Sequence, residues 1–210
     1  MFTHENRPIL GIVFVITGVV LGLLVGVIIK KTATEVNLVT TLFYRFVFSV
    51  PLLFLFAILG RGKAALNIIE KRTMILRVLC GLSGMVFWVL AIRNLPLGQA
   101  TALFQSSVIF VAILSPFLLF ERVSLYRWIA VVFGLFGIFI LTSPFSQNAS
   151  FVILYGLLAA LAGALLSVTL RRLGKSENSL SVALIYNAIA AFLMLMIIIA
   201  SVSYTHLRAH

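Results

Sequence analysis

The chain has 210 residues, of which 62% are hydrophobic and only 10% charged, against a soluble norm of about 25% charged. Its mean hydropathy is +1.21, which describes an integral membrane protein. The formal net charge is +11, but the basic residues stand between apolar runs and form no aromatic-interleaved patch, so a nucleic-acid partner is not expected.

Seven apolar runs of about 20 residues follow one another, each long enough to cross ~30 Å of hydrocarbon as a helix. They are Pro8 to Ile29, Val36 to Leu59, Thr73 to Ile92, Leu97 to Leu119, Val123 to Leu141, Phe151 to Leu170 and Leu180 to Val202. Barrel strands would alternate apolar and polar positions, and no such alternation is present. Helices are then the remaining way to satisfy the backbone in lipid.

The first run follows a short head carrying Glu5 and Arg7. It is too long for a signal h-region and lacks a small-x-small cleavage site, so it is expected to stay as a span. Gly18, Gly22 and Gly26 repeat every four residues on one face, a pattern that lets a second helix backbone approach and reads as packing.

In the second run, Arg45 sits nine residues from Val36, about 13 Å into the span. An arginine there costs at least ~2.5 kcal/mol, so it faces a cavity or partner, where it could fork onto a carboxylate or phosphate. If the span begins nearer Leu42, Arg45 instead snorkels to the interface. Pro51, six residues on, removes a helix hydrogen bond and could widen a site at that level.

The third run holds Cys80, the single cysteine, which excludes an intramolecular disulfide and reads as a buried structural thiol. The "NLP" turn lets Pro96 open the fourth run at a first-turn position. Gln105, Ser106 and Ser107 then fall near midplane, followed by Ser115-Pro116. Polar side chains and a kink at that depth line transport paths, although serines also pack neutrally between helices. Gly134 and Gly137 in the fifth run read as packing, and Pro144 closes that run.

The basic residues also carry orientation. With a cytoplasmic N-terminus the inner side collects Arg7, Arg61, Lys63, Lys71, Arg72, Arg77, Arg122, Arg127, Arg171, Arg172 and Lys175, eleven in all, against Lys30, Lys31 and Arg93 outside. This positive-inside bias predicts N-in.

"GLLVGVIIKKTATEVN" (22–37) lies over "GALLSVTLRRLGKSEN" (163–178) without a gap, glycine on glycine, basic pair on basic pair and Asn on Asn, at an offset of 141. The copies end the first and sixth runs, five apart, so the second enters the membrane from the opposite face. An inverted-repeat carrier has this layout, although apolar helices with basic ends also resemble one another by chance. Tyr186 and Asn187 fall opposite Arg45 and Phe46 in the same alignment, and would approach one site from the other half.

The stretch Ala91 to Pro144, with Leu95-Pro96-Leu97, Ala100-Thr101, Glu121-Arg122-Val123-Ser124, Gly134 and Gly137, resembles the EamA family of the drug/metabolite transporter superfamily. Lys30 and Arg45 also fit its pattern. The resemblance covers the first five runs well and the next two more loosely; Val108 and Phe120 stand where the family often has proline and glycine. It implies small-molecule permease activity by alternating access and a ten-helix fold of two inverted five-helix repeats. On that frame 8–142 is the first repeat and 151–202 the start of the second. The polar ending "SYTHLRAH" (203–210) fits neither and is expected to be non-native sequence, with three helices of the family fold beyond it.

What is absent narrows the chemistry. There is no Asp, while Glu5, Glu35, Glu70, Glu121 and Glu177 lie in or beside loops, and His4, His206 and His210 are terminal. No intramembrane carboxylate or histidine relay is available for proton coupling, so coupling is exchange-like or uses residues outside this sequence. Membrane metal or acyl-transfer enzymes need clustered Asp or membrane histidines, and seven-helix receptors have the N-terminus outside. The expectation is therefore an all-α, multi-pass permease of a cytoplasmic membrane, with no cofactor or metal. Its partners are the lipid bilayer and a small anionic or zwitterionic solute; nothing in these residues sets an oligomeric state, a homodimer included.

Overall fold

A computed structural model describes residues 8–62, 66–118, 124–142 and 151–208. These form eight helices: α1 (Pro8–Lys31), α2 (Leu38–Arg61), α3 (Lys71–Asn94), α4 (Leu97–Gln105), α5 (Ser107–Leu118), α6 (Leu125–Thr142), α7 (Ile153–Leu173) and α8 (Ser179–Arg208). Six stretches are long and apolar enough to cross a membrane, and Leu125–Ile140 is a shorter apolar helix. Each of the seven expected runs is helical, and six of them are long and apolar enough to span. Pro144 and the signature pair Glu121-Arg122 lie outside the described residues, and the helix of α8 runs through the polar ending as far as Arg208.

The fourth span is two helices, because α4 and α5 meet at Ser106. The Ser106 amide is shared between the carbonyls of Ala102 and Leu103, both at 3.1 Å, and Ile109 N reaches Ser106 O at 2.9 Å, a local tightening toward three residues per turn. The interruption thus falls at the serine pair. Pro51 and Pro116 sit inside α2 and α5 without ending either helix.

Small residues set the packing. α3 lies at the centre, most extensively against α7, while α2 packs on α8. On α7 the residues Ala159, Ala160 and Ala164 are fully buried, and a Cβ added at Gly84 of α3 would stand 3.2 Å from Ala162 Cβ. Helices without bulky side chains at their contact approach closely and gain dispersion along their length. Phe46, Leu42, Ile92 and Leu103 fill the remaining core. Long apolar side chains stay exposed along α1 and α6, as surfaces that face lipid do.

Both ends of α3 are tied down. At its C-terminal end Lys30 Nζ donates to Arg93 O at 3.0 Å and Leu95 O at 2.8 Å, satisfying carbonyls that a helix end leaves without partners. Arg93 Nη2 in turn donates to Val36 O at 2.7 Å and Thr41 Oγ1 at 2.9 Å. At the opposite end Glu177 Oε1 accepts from the amides of Ile69 at 2.7 Å and Glu70 at 2.8 Å. Glu70 accepts from Thr73 Oγ1 at 2.8 Å and Ser176 Oγ at 3.0 Å, with Arg172 Nε 3.7 Å away. The end of α1 and the α1–α2 loop therefore hold one end of α3, and the α7–α8 loop holds the other.

Candidate functional site

A cavity of about 550 Å³ opens among α1, α2, α3, α4, α7 and α8, within the size range of small-molecule sites. One face of α3 supplies its longest wall: Arg77, Gly81, Gly84 and Trp88, spaced four, three and four apart, which is the repeat of a single helix face. Arg45 enters from α2, Phe104 from α4, Gly163 from α7 and Tyr186 from α8, while Gly18 and Gly22 of α1 line the open side.

Two guanidinium groups lie against aromatic rings here. The Arg45 guanidinium carbon is 5.6 Å from the Trp88 ring centroid, and that of Arg77 is 3.9 Å from the Tyr186 ring centroid. Both are cation–π distances. Phe46 braces the other side of the arrangement, meeting Tyr186 edge-on at 5.6 Å and 90°. Gly81 makes the Arg77–Tyr186 stack possible, because a Cβ there would collide with Arg77 Nη1 and stand 2.8 Å from Tyr186 Cε2.

The electrostatics of the site are one-sided. Arg77 is 9% accessible, and its Nε and Nη1 have no hydrogen-bond partner among the described residues. A ring face only partly replaces the water such a cation loses. Among the described residues, none that lines the cavity is acidic. The arrangement can therefore take up an anionic group, with Trp88, Phe104 and Tyr186 offering flat surface to an attached ring or chain.

The expected site residues divide. Arg45 and Tyr186 meet in this cavity. α2 begins at Leu38, so Arg45 is about 10 Å into its helix at 1.5 Å per residue. Asn187 turns away and donates to Ala183 O on its own helix at 2.8 Å. Gln105 and Ser106 line a separate hollow with Gly134 and Gly137. Ser107 faces Gly163, 3.5 Å from where that residue's Cβ would be. Of the α1 glycines, Gly26 is close to Leu97 and Ile92, whereas Gly18 and Gly22 have open space beside them.

The signature residues build a turn. Leu95 supplies the carbonyl that Lys30 holds, and Pro96 precedes Leu97 at the start of α4. Ala100 is fully buried, and Thr101 Oγ1 donates to Leu97 O at 2.8 Å.

Arg77 is the residue that sequence reasoning missed, having been grouped with the cations of the inner side. Its signal was available. It stands six residues inside α3 and shares a face with Gly81, Gly84 and Trp88, where a loop cation has no reason to be.

Comparison with known proteins gives the same direction. A model described as "EamA-like transporter family" matches residues 9–143. An S-adenosylmethionine uptake transporter of Rickettsia prowazekii is 30% identical over 179 residues, 85% of this chain and 60% of the relative. The corresponding protein of Rickettsia felis is 31% identical over 160 residues, covering 76% and 54%. A riboflavin transporter of Brucella anthropi is 27% identical over 152 residues, covering 72% and 53%. The chain thus spans little more than half the length of these relatives. No solved structure matches it.

Proposed function

Because this chain belongs to the EamA-like transporter family, we propose that the protein carries small anionic or zwitterionic metabolites across a membrane, with the Arg45–Arg77 cavity as part of the solute path. The observation that carries the reading is the buried, incompletely partnered guanidinium of Arg77 in a cavity that no acid lines among the described residues. A carboxylate or phosphate arriving there meets a charge already desolvated, and forked hydrogen bonds to it are correspondingly strong. The aromatic walls suit a flat ring beside the anion. S-adenosylmethionine and riboflavin, named for the relatives, both carry fused nitrogen heterocycles, and the former also bears a carboxylate.

Alternating access follows from the inverted-repeat reading. It is supported by the packing of α2 on α8, which are aligned spans, and by the way the two aligned segments, the end of α1 with its loop and the α7–α8 loop, meet opposite ends of α3. In such a carrier one repeat rocks or gates against the other around the site. The charge bias between loops supports a cytoplasmic N-terminus in a cytoplasmic membrane.

The test is uptake of labelled S-adenosylmethionine and riboflavin 5′-phosphate by cells expressing the gene as it stands in its source genome. Arg45→Gln and Arg77→Gln should each raise the apparent KM at least tenfold. Unchanged uptake in both variants would remove the basis of the proposal.

A further inference from the structure

A second cavity, of about 340 Å³, lies away from the first, floored by α5 between α6 and α7. Arg127, in the first turn of α6, and Arg171, in the last turn of α7, stand at its mouth. The C-terminal end of α5 is at the same end of the bundle, so the mouth lies where these apolar helices end. Below it the wall is apolar: Val111, Ala112 and Val108 of α5 face Ala130 and Val131 of α6. The hydroxyl of Ser115 donates to Val111 O at 2.7 Å, so its proton stays within α5. From Ser115 to Val108 the groove descends seven residues, about 10 Å, and Val108 at its foot is 69% accessible.

We propose that this groove binds one anionic phospholipid, its phosphate between Arg127 and Arg171 and an acyl chain along Val111 and Val108. Two cations from different helices above an apolar slot match both parts of such a molecule, and basic pockets between spanning helices recognise lipid headgroups in this way. A free phosphate would use the mouth and leave the slot unfilled. The site is independent of the solute cavity and of any transport reading.

The experiment uses the 210-residue protein delipidated in a non-ionic detergent. Native mass spectrometry and thermal midpoints are recorded with phosphatidylglycerol, phosphatidylcholine or inorganic phosphate added. Phosphatidylglycerol should give a one-to-one adduct and raise the midpoint, and the other two should not. Replacing both arginines, Arg127→Gln with Arg171→Gln, should remove the adduct. Val108→Trp, which fills the foot of the slot and leaves both charges, should weaken it at least tenfold. Equal retention of phosphatidylcholine, equal protection by inorganic phosphate, or an adduct that survives Val108→Trp would each overturn the proposal.

Discussion

The guanidinium of Arg77 stacks 3.9 Å from the Tyr186 ring, joining the third and seventh spans at the wall of one cavity. Among the described residues no hydrogen bond satisfies its Nε or Nη1, and the room that Gly81 leaves lets the ring and the guanidinium meet. An incompletely partnered cation inside the membrane is costly, and on the proposed reading an anionic ligand offsets that cost.

Arg77→Met should therefore separate stability from function. Removing a buried, incompletely partnered charge relieves its desolvation penalty, so the thermal midpoint should rise by several degrees, at about 2–4 °C per kcal/mol. Solute binding should be lost in the same variant. A lower thermal midpoint would mean that Arg77 is a structural strut.

The glycines facing the cavity are expected to differ. Gly81→Ala puts a methyl group against Arg77 and 2.8 Å from Tyr186 Cε2, so solute affinity should fall by about tenfold, the equivalent of 1.4 kcal/mol, with helix content unchanged by circular dichroism. Gly18→Ala meets nothing within 4 Å and should bind as the parent does. Equal effects at the two positions would contradict the geometry.

The tie between the α7–α8 loop and α3 should respond to acid. Hydrogen bonds from Thr73 and Ser176 hold the Glu70 carboxyl below its ordinary value of 4.5. A lowered carboxylate contributes stability that is complete above the ordinary value and is lost as pH falls through the lowered one. Hydrogen exchange at Ser176 and Glu177, corrected for intrinsic rates, should stay level from about pH 7 to 5 and accelerate only below 4.5. Glu70→Gln should show faster exchange throughout. Acceleration already at neutral pH in the parent would rule this tie out.

Lys30 should matter more than its neighbour Lys31. Lys30→Met leaves Arg93 O and Leu95 O without their shared donor, a loss of about 1.5–3 kcal/mol for hydrogen bonds to a charged group. Lys31, exposed at the helix end, should change the thermal midpoint little when replaced in the same way. Similar shifts in both variants would mean that charge at the loop, and not the carbonyl contacts, is what stabilises α3.

The spans were legible because lipid imposes a coarse requirement: about 20 apolar residues with internally paired backbone. Arg45 was legible for the related reason that a charge inside such a run stands out. Which face a polar residue takes was harder to read. Gln105, Ser106 and Ser107 are adjacent in sequence, yet the helix turns them toward a hollow beside α6 and toward α7. Periodicity places them at the right depth but says nothing of the azimuth until neighbouring helices are known. Arg77 was obscured by a bias of counting, since a cation near a helix start supports topology whether or not it also faces a cavity. The break at Ser106 was marked only by small polar residues, while the prolines at 51 and 116 gave the louder signal.

The most direct test of the cavity uses Trp88, one of two tryptophans in the chain, which lines the site beside Arg45. With Trp128→Phe it becomes the sole indole reporter. Its fluorescence is then titrated with S-adenosylmethionine and riboflavin 5′-phosphate, and with decarboxylated S-adenosylmethionine and riboflavin as counterparts lacking the anion. The account predicts saturable quenching that favours an anion-bearing member and is weakened at least tenfold by Arg45→Gln or Arg77→Gln. Quenching that ignores the anion, or that survives loss of both arginines, would contradict it.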